Sequence, residues 1–497
     1  MSFTSTDAVA GTLQADANPT AASPVWAWVM VGIYVLVVAC GNGLLNDSDT
    51  FWQIAVGQSI IANGAMPHTD IYSFTRAGAP WTSSSWLAQV LYAQAYAMAG
   101  WSGVVALAAI AISAATGLLV RRLSRRMAPL YAATVGLVAV SLSMPHLLAR
   151  PHVLVMPVMV AWVDGLVQAS DAQRPPPPWL LALIALWANL HGSFVFGLAL
   201  VGAFFIDAIW NASTSHRKTL AVKWIAFGCG AVVACCITPY GWGSFLAAAH
   251  ILNLGGLLNI ISEWRPADFS HVGAFEVCLL GLLATVLYCG ISFSWPRILI
   301  VLGLVGMALS HQRNIELFAL LLPLVVITPL ALRFPHLAQA TEGRRRQTSP
   351  AILVLLGVLG GGAGAVVAHA HPATPAANQS PAAAVDVLIK SGAKRILNDL
   401  PFGGYLIWRK IPVFIDGRAE LYGERFGLNY YNALELKDVD QFLTLLKTND
   451  IDATILTSNT PAAKLLNHLP GWKRIYADNF AIVHVRSAIA TKTQSQH

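Results

Sequence analysis

Two carboxylates one residue apart, Asp47 and Asp49 in the run Asn46-Asp47-Ser48-Asp49-Thr50-Phe51-Trp52, stand directly after the first long apolar stretch of the chain. Acidic groups are costly beside hydrocarbon, so at a membrane boundary they either cap a helix or take part in chemistry. Both readings fit. Ser48 or Asp49 is a good N-cap for a helix from Thr50 to about Ile61, and a carboxylate placed there can accept a proton from a hydroxyl. A divalent cation between Asp47 and Asp49 is left open, because carboxylates on adjacent turns do not by themselves define a metal site.

Four further groups interrupt apolar sequence: Arg150-Pro151-His152, Asn189-Leu190-His191-Gly192, Glu263-Trp264-Arg265 and His311-Gln312-Arg313-Asn314. Any one of them is adequately explained as an ordinary helix end. Their chemistry is nonetheless coherent: a guanidinium presents a fork of donors to an anion, and an imidazole donates a hydrogen bond or relays a proton.

The elements that must hold these residues belong to a membrane protein. The chain is 56% hydrophobic and only 11% charged, outside the range of soluble domains. About eleven apolar runs are spans by the twenty-residue rule, some of them short or broken. They cover 25–45, 101–120, 129–148, 153–169, 179–190, 194–210, 220–238, 274–292, 298–310, 315–332 and 350–369. With the N-terminus in the cytoplasm, thirteen Arg and Lys fall on the inner side against four outside (Arg76, Arg150, Arg265 and Arg313). That positive-inside bias sets the orientation and puts the acidic motif and all four polar groups on the outer side. The net charge of +7 is clustered by loop, which argues against nucleic acid. The six cysteines lie in or beside apolar segments, as packing residues. The inner basic residues read as plain anchors.

The divisions expected are a cytoplasmic tail (1–24), a transmembrane module (25–369) with a long first outer loop (45–85), an Ala/Pro-rich linker (370–381), a small α/β domain outside the membrane (382–487) and a terminal tail (488–497). In the first loop, Trp52, Ala55, Val56 and Ile60 share a helical face, and a second amphipathic piece starts at Trp86. Such segments either lie in a membrane interface with their apolar faces on lipid or pack over the bundle. The outer domain reads as helices at Ala383–Ser391, Val439–Thr448 and Pro461–His468. Its strands are expected at Arg395–Asn398, Pro412–Asp416, Ala453–Leu456, Trp472–Tyr476 and Ala481–Val485, with a tight turn at Phe402-Gly403-Gly404-Tyr405. Asp416 and Arg418 follow the end of an expected strand, where open α/β sheets bind ligands. A structural Asp–Arg pair holding the domain together is an equal alternative.

Taken in order, these motifs resemble the GT-C superfamily of membrane glycosyltransferases, and within it a group of bacterial polytopic membrane proteins. The matching residues run from Asp47-x-Asp49-x-Phe51-Trp52 through Gly57, Pro67-x-x-Asp70, Arg150-Pro151-His152, Asn189-x-His191-Gly192, Glu263-Trp264 and Arg313-Asn314. They end at Gly403-Gly404-Tyr405 and Phe414-Ile415-Asp416-Gly417-Arg418. Gln53 departs from the pattern, where His is usual. The resemblance implies sugar transfer on the outer face of a bacterial inner membrane, from a polyprenyl-phosphate-linked donor to a lipid, glycan or protein acceptor. Asp47 would be the base or would orient the acceptor, with Asp49 second. Arg150 and Arg313 would bind phosphate, His152, His191 and Asn189 would support substrate, and Glu263 would meet sugar hydroxyls or a metal. A transporter or a non-catalytic part of an envelope polysaccharide assembly are the alternatives. A transporter is disfavoured by the absence of an inverted repeat in the sequence and by polar groups gathered on one side.

Overall fold

The computed structural model describes residues 24–252, 254–257, 262–335, 349–376 and 380–487. The N-terminal tail up to residue 23, Arg344 to Arg346, residues 377–379 of the linker and the 488–497 tail lie outside the described residues.

Each of the eleven apolar runs is a helix. In chain order the helices are α1 (Val25–Ala39), the first-loop helix α2 (Asp49–Asn63), α3 (Trp86–Leu123), α4 (Pro129–Ser143), α5 (Pro151–Asp171), α6 (Leu180–Leu190) and α7 (Phe194–Asn211). Then come α8 (Thr214–Cys235), α9 (Gly243–Leu252), α10 (Ala274–Cys289), α11 (Trp295–Ser310), α12 (Ile315–Arg333) and α13 (Pro350–Ala370). Six of them, α3, α5, α7, α8, α12 with the turn before it, and α13, are long and apolar enough to cross a membrane; α1, α6, α10 and α11 are shorter apolar helices. Among the described residues, six of the eleven expected spans are therefore of full length, and the other five are the short or broken ones. A helix rises 1.5 Å per residue, so 16 residues reach only about 24 Å of the roughly 30 Å of hydrocarbon. Two of the short helices, α6 and α11, stop at His191 and His311.

Helix α3 is the centre of the bundle, with α1, α2, α4 and α5 packed on it. It absorbs the amphipathic piece expected at Trp86 and the span expected at 101–120 into one helix of 38 residues, broken at Ala99 and at Gly100, whose φ of 57° a glycine adopts without strain. Trp162, Trp187 and Trp224 are among the largest fully buried side chains. Each indole N–H finds an acceptor: Gly197 O at 2.9 Å, Ser193 Oγ at 3.0 Å and Arg174 O at 3.1 Å. This is how a large amphipathic ring is buried without an orphaned donor.

The basic residues expected as plain anchors are not all of that kind. Arg122 and Arg297 are buried and pair with Asp164, Asp171 and Asp207 at the end of the bundle away from Asp47. Apolar surroundings strengthen such pairs and oblige both partners to be present.

The C-terminal domain contains α14 (Ala382–Ser391), α15 (Leu400–Trp408), α16 (Ala419–Leu434), α17 (Val439–Thr448) and α18 (Pro461–Leu466), with strands β1 (Ile396–Asn398), β2 (Ala453–Thr457), β3 (Trp472–Ala477) and β4 (Ala481–Arg486). The sheet order is β1-β2-β4-β3, with β1 parallel to β2 and the remaining pairs antiparallel. Two expectations fail here. Phe402-Gly403-Gly404-Tyr405 lies within α15 rather than in a turn. Pro412–Asp416 does not join the sheet; Val413 bridges in parallel to Ser73 of the first loop. Val413 N donates to Tyr72 O at 3.0 Å, Phe74 N donates to Val413 O at 3.1 Å, and Thr75 Oγ1 donates to Phe414 O at 2.6 Å.

The domain and the first loop thus share a core. Phe51, Trp52, Val56 and Ile60 of α2 pack with Phe402, Tyr405, Leu406 and Val413. Phe51 lies edge-on to Tyr405 with ring centroids 5.2 Å apart, and also meets Trp101 and Trp408. Full burial of one such ring contributes roughly 1.5–3 kcal/mol. Of the two readings for Trp52, Val56 and Ile60, the lipid-facing one fails: their apolar stripe is covered by protein.

Candidate active site

Helix α2 begins at Asp49, with Ser48 at the N-cap position but making no side-chain cap. The capping explanation for the acidic motif therefore fails. Asp49 Oδ1 instead accepts the Trp52 indole N–H at 3.1 Å, and Asp47, just outside the helix, turns toward α5.

Pro151 is the first residue of α5, where its missing N–H costs nothing, which leaves Arg150 outside the helix in extended conformation. Two ties hold this corner against the acidic turn: Ala149 N donates to Leu44 O at 2.7 Å and Thr50 Oγ1 donates to Ala149 O at 3.2 Å. The Arg150 guanidinium then grips three carboxylates. Its Nε and Nη2 donate to the two oxygens of Asp47 at 2.5 Å each, Nη2 lies 3.3 Å from Asp49 Oδ2, and Nη1 donates to Glu263 Oε1 at 2.7 Å. Burial pushes the Asp49 carboxyl up to about 7; Arg150 opposes the rise, while Asp47 and Glu263 add to it.

The remaining charged groups gather beside this hub. Arg313, in the turn Gln312–Asn314 ahead of α12, stacks on the Trp264 ring at 4.8 Å and forms no ion pair among the described residues. Glu263, Glu316 and Arg150 are its charged neighbours. His152, in the first turn of α5, lies within electrostatic reach of Arg313, His191 and Arg150, and its Nε2 is 3.3 Å from His146 O. His191 follows the end of α6; its Nδ1 is tied to Ser193 Oγ at 2.8 Å and accepts from Ser193 N at 3.1 Å.

Of the ten candidates, seven therefore meet in one region: Asp47, Asp49, Arg150, His152, His191, Glu263 and Arg313. Asn189 stands at its margin as a structural tie. Its amide accepts from Trp86 Nε1 and donates to Ala185 O and Ile237 O, all at 2.8 Å, so both of its amide hydrogens are taken up by protein. Asp416 and Arg418 do not face a substrate space. Arg418 donates to both oxygens of Asp416 at 2.8 and 2.6 Å and to Asp70 Oδ1 at 2.7 Å, under the rings of Tyr72 and Trp81. Both side chains are closed off from solvent. The structural alternative weighed for this pair is the one that its geometry supports: it clamps the domain to the first loop.

One residue escaped sequence reasoning. Glu316, one turn after Arg313, is buried with Oε2 3.8 Å from His152 Nε2 and no hydrogen bond to that oxygen among the described residues. Its signal was an acid one residue inside an apolar run. Gln53, singled out in the sequence for standing where His is usual, is buried and its Oε1 also has no hydrogen-bond partner there.

No protein-family profile matches the chain, and no curated protein matches it in sequence. Solved structures do. The apo oligosaccharyltransferase of Archaeoglobus fulgidus aligns with a TM-score of 0.56 at 13% identity, over 87% of this chain and 69% of that one. The same archaeal enzyme, AglB, in complex with an inhibitory peptide and a dolichol-phosphate, gives 0.55 at 12% identity over the same shares. At this identity the likeness is one of fold: the chain shares with these structures a bundle of apolar helices carrying a smaller domain.

Proposed function

We propose that the protein is a glycosyltransferase that moves a sugar from a polyprenyl-phosphate-linked donor to an envelope acceptor on the outer face of a bacterial inner membrane. The observation that carries this reading is the convergence of Asp47, Asp49, Arg150, Glu263 and Arg313 from four separated stretches of a GT-C fold, on the face covered by the C-terminal domain. The positive-inside bias of the loops supports assigning that face to the outside.

In this reading the acceptor hydroxyl oxygen attacks the anomeric carbon of the donor. Asp47, oriented by the Arg150 fork, takes the hydroxyl proton. The bond from the anomeric carbon to the phosphate oxygen breaks, and the lipid phosphate departs with the electron pair. Arg313, stacked but without an ion-pair partner among the described residues, is the group best placed to hold that charge, since a guanidinium matches phosphate with two parallel donors. His191 Nε2, without a hydrogen bond among the described residues, is available to the same anion. Glu263 would bind sugar hydroxyls. A divalent cation on Asp47 and Asp49 would have to displace Arg150, which holds both Asp47 oxygens, and among the described residues no three His, Cys, Asp or Glu side chains are arranged to hold a metal. No step here runs through one.

The test is an assay of purified protein with polyprenyl-phosphate sugars and envelope acceptor fractions, read by mass spectrometry of the product. Transfer by the wild type and its loss in Asp47→Ala are expected. Equal transfer by the two proteins would sink the assignment.

A further inference from the structure

The C-terminal domain meets the acidic turn through two glycines. Gly404, on α15, lies against the backbone carbonyl of Ser48, and Gly417, between Asp416 and Arg418, lies against the carboxylate of Asp49. A methyl at either position would collide with those atoms. The two contacts differ in kind. Ser48 O is backbone and cannot yield without moving the turn, whereas Asp49 Oδ1 is the end of a short side chain. That oxygen is also the one that accepts the Trp52 indole N–H at 3.1 Å. Gly417 is itself fixed from behind. Arg418 N donates to Asp416 Oδ1 at 2.9 Å, and Asn398 Nδ2 donates to Ile415 O at 2.8 Å, which ties the Gly417 segment to the end of β1.

We propose that Gly404 and Gly417 are positioning residues: two bare stretches of backbone in the C-terminal domain form the wall against which the Asp47–Asp49 turn is set, so that this domain completes the carboxylate site instead of merely hanging from the membrane module. The catalytic consequence rests on the transfer reading above; the contact itself does not. Neither glycine touches a reacting atom. Their role is exerted through Ser48 and Asp49, on a scale where a misplacement of about 1 Å costs on the order of a hundredfold in rate.

The experiment uses the full chain labelled with ¹⁵N-tryptophan in detergent micelles, with the Trp52 indole resonance assigned by its loss in Trp52→Phe. Gly417→Ala is expected to shift the Trp52 indole N–H, because the added methyl displaces the oxygen that accepts it. Gly427→Ala, which crowds Leu257 on another side of the same domain, is expected to leave that resonance in place. An unmoved resonance in Gly417→Ala, or the same shift in both variants, overturns the proposal. If Gly417→Ala lowers the melting temperature, Asp49→Ala in the same chain is expected to recover part of the loss, since residues in contact couple; purely additive losses overturn it. With an active wild type, Gly417→Ala should lower kcat about tenfold or more while KM for the donor stays within about twofold, the pattern of an interaction lost in the transition state. A wild type without transfer activity would refute the function and leave the indole and melting results to decide the contact.

Discussion

Two arginines each bind carboxylates on the same side of this molecule, and they do so to opposite effect. Arg418 closes on Asp416 and Asp70 with no exposed side-chain surface on any of the three. Its cluster is finished by Tyr422, whose hydroxyl donates to Asp416 Oδ2 at 2.7 Å, and by aromatic rings over the guanidinium. Arg150 holds Asp47, Asp49 and Glu263, but it, Asp49 and Glu263 keep 22 to 27% of their side-chain surface. One cation there faces three acids. A buried pair with every partner in place is a fixture that breaks expensively. A partly open cluster with surplus acid, a titrating member and a spare arginine beside it is suited to receiving a ligand.

The contrast can be broken most sharply at Asp47. Asp47→Ala is expected to cut transfer by between about a hundredfold and ten-thousandfold, the range of general-base catalysis, with the melting temperature little changed; a variant that stays active would erase the functional half of the comparison. At the other hub, Arg418→Ala strands Asp416 and Asp70 in a dry interface and should cost about 3–5 kcal/mol. Thermal unfolding and limited proteolysis would show the domain released from the first loop, and a fully stable variant would erase the structural half. Arg313→Ala removes a charge-assisted contact of about 1.5–3 kcal/mol, which should weaken lipid-linked donor binding by roughly ten- to a hundredfold without loss of fold; full-strength binding would remove Arg313 from the site.

The smallest effect concerns pH. If transfer requires ionised Asp49, activity falls as pH drops through about 7, where burial has placed that carboxyl. Arg150 holds the value down, so Arg150→Gln raises it further and the acid limb of the residual activity moves to higher pH. A limb that stays put, or moves to lower pH, would show that Asp49 does not govern it.

Much of this architecture can be read from the chain alone, because apolar periodicity and length report directly on helices in hydrocarbon. The eleven runs, helix α2, and β1, β2, β3 and β4 all stand close to where pattern and propensity put them. The misreadings share a cause. Pro412–Asp416 has the composition of a buried strand, but pattern cannot name a partner, and its partner is Ser73. Gly403-Gly404 looks like a turn because small residues usually mark one; here the close approach of Ser48 requires the absence of a side chain inside a helix. Trp52, Val56 and Ile60 form an apolar stripe whether lipid or protein covers it. In the site, the residues that break apolar runs were conspicuous. Glu316 was not, since an acid in the first turn of a helix is ordinary and only its distance from His152 sets it apart.

The bridge between Ser73 and Val413 also sets a timetable for biogenesis. The hydrogen-bonded partners Arg418 and Asp70 are separated by 348 residues. At a synthesis rate of about 5–20 residues per second, the first loop emerges roughly 20–70 s before the segment that seats it. During that interval the bundle can insert and pack, while the acidic turn lacks its wall. A ribosome-bound chain would therefore hold the inserted helices without a finished carboxylate site, and, on the transfer reading proposed above, chains truncated before Val413 should be inserted yet inert.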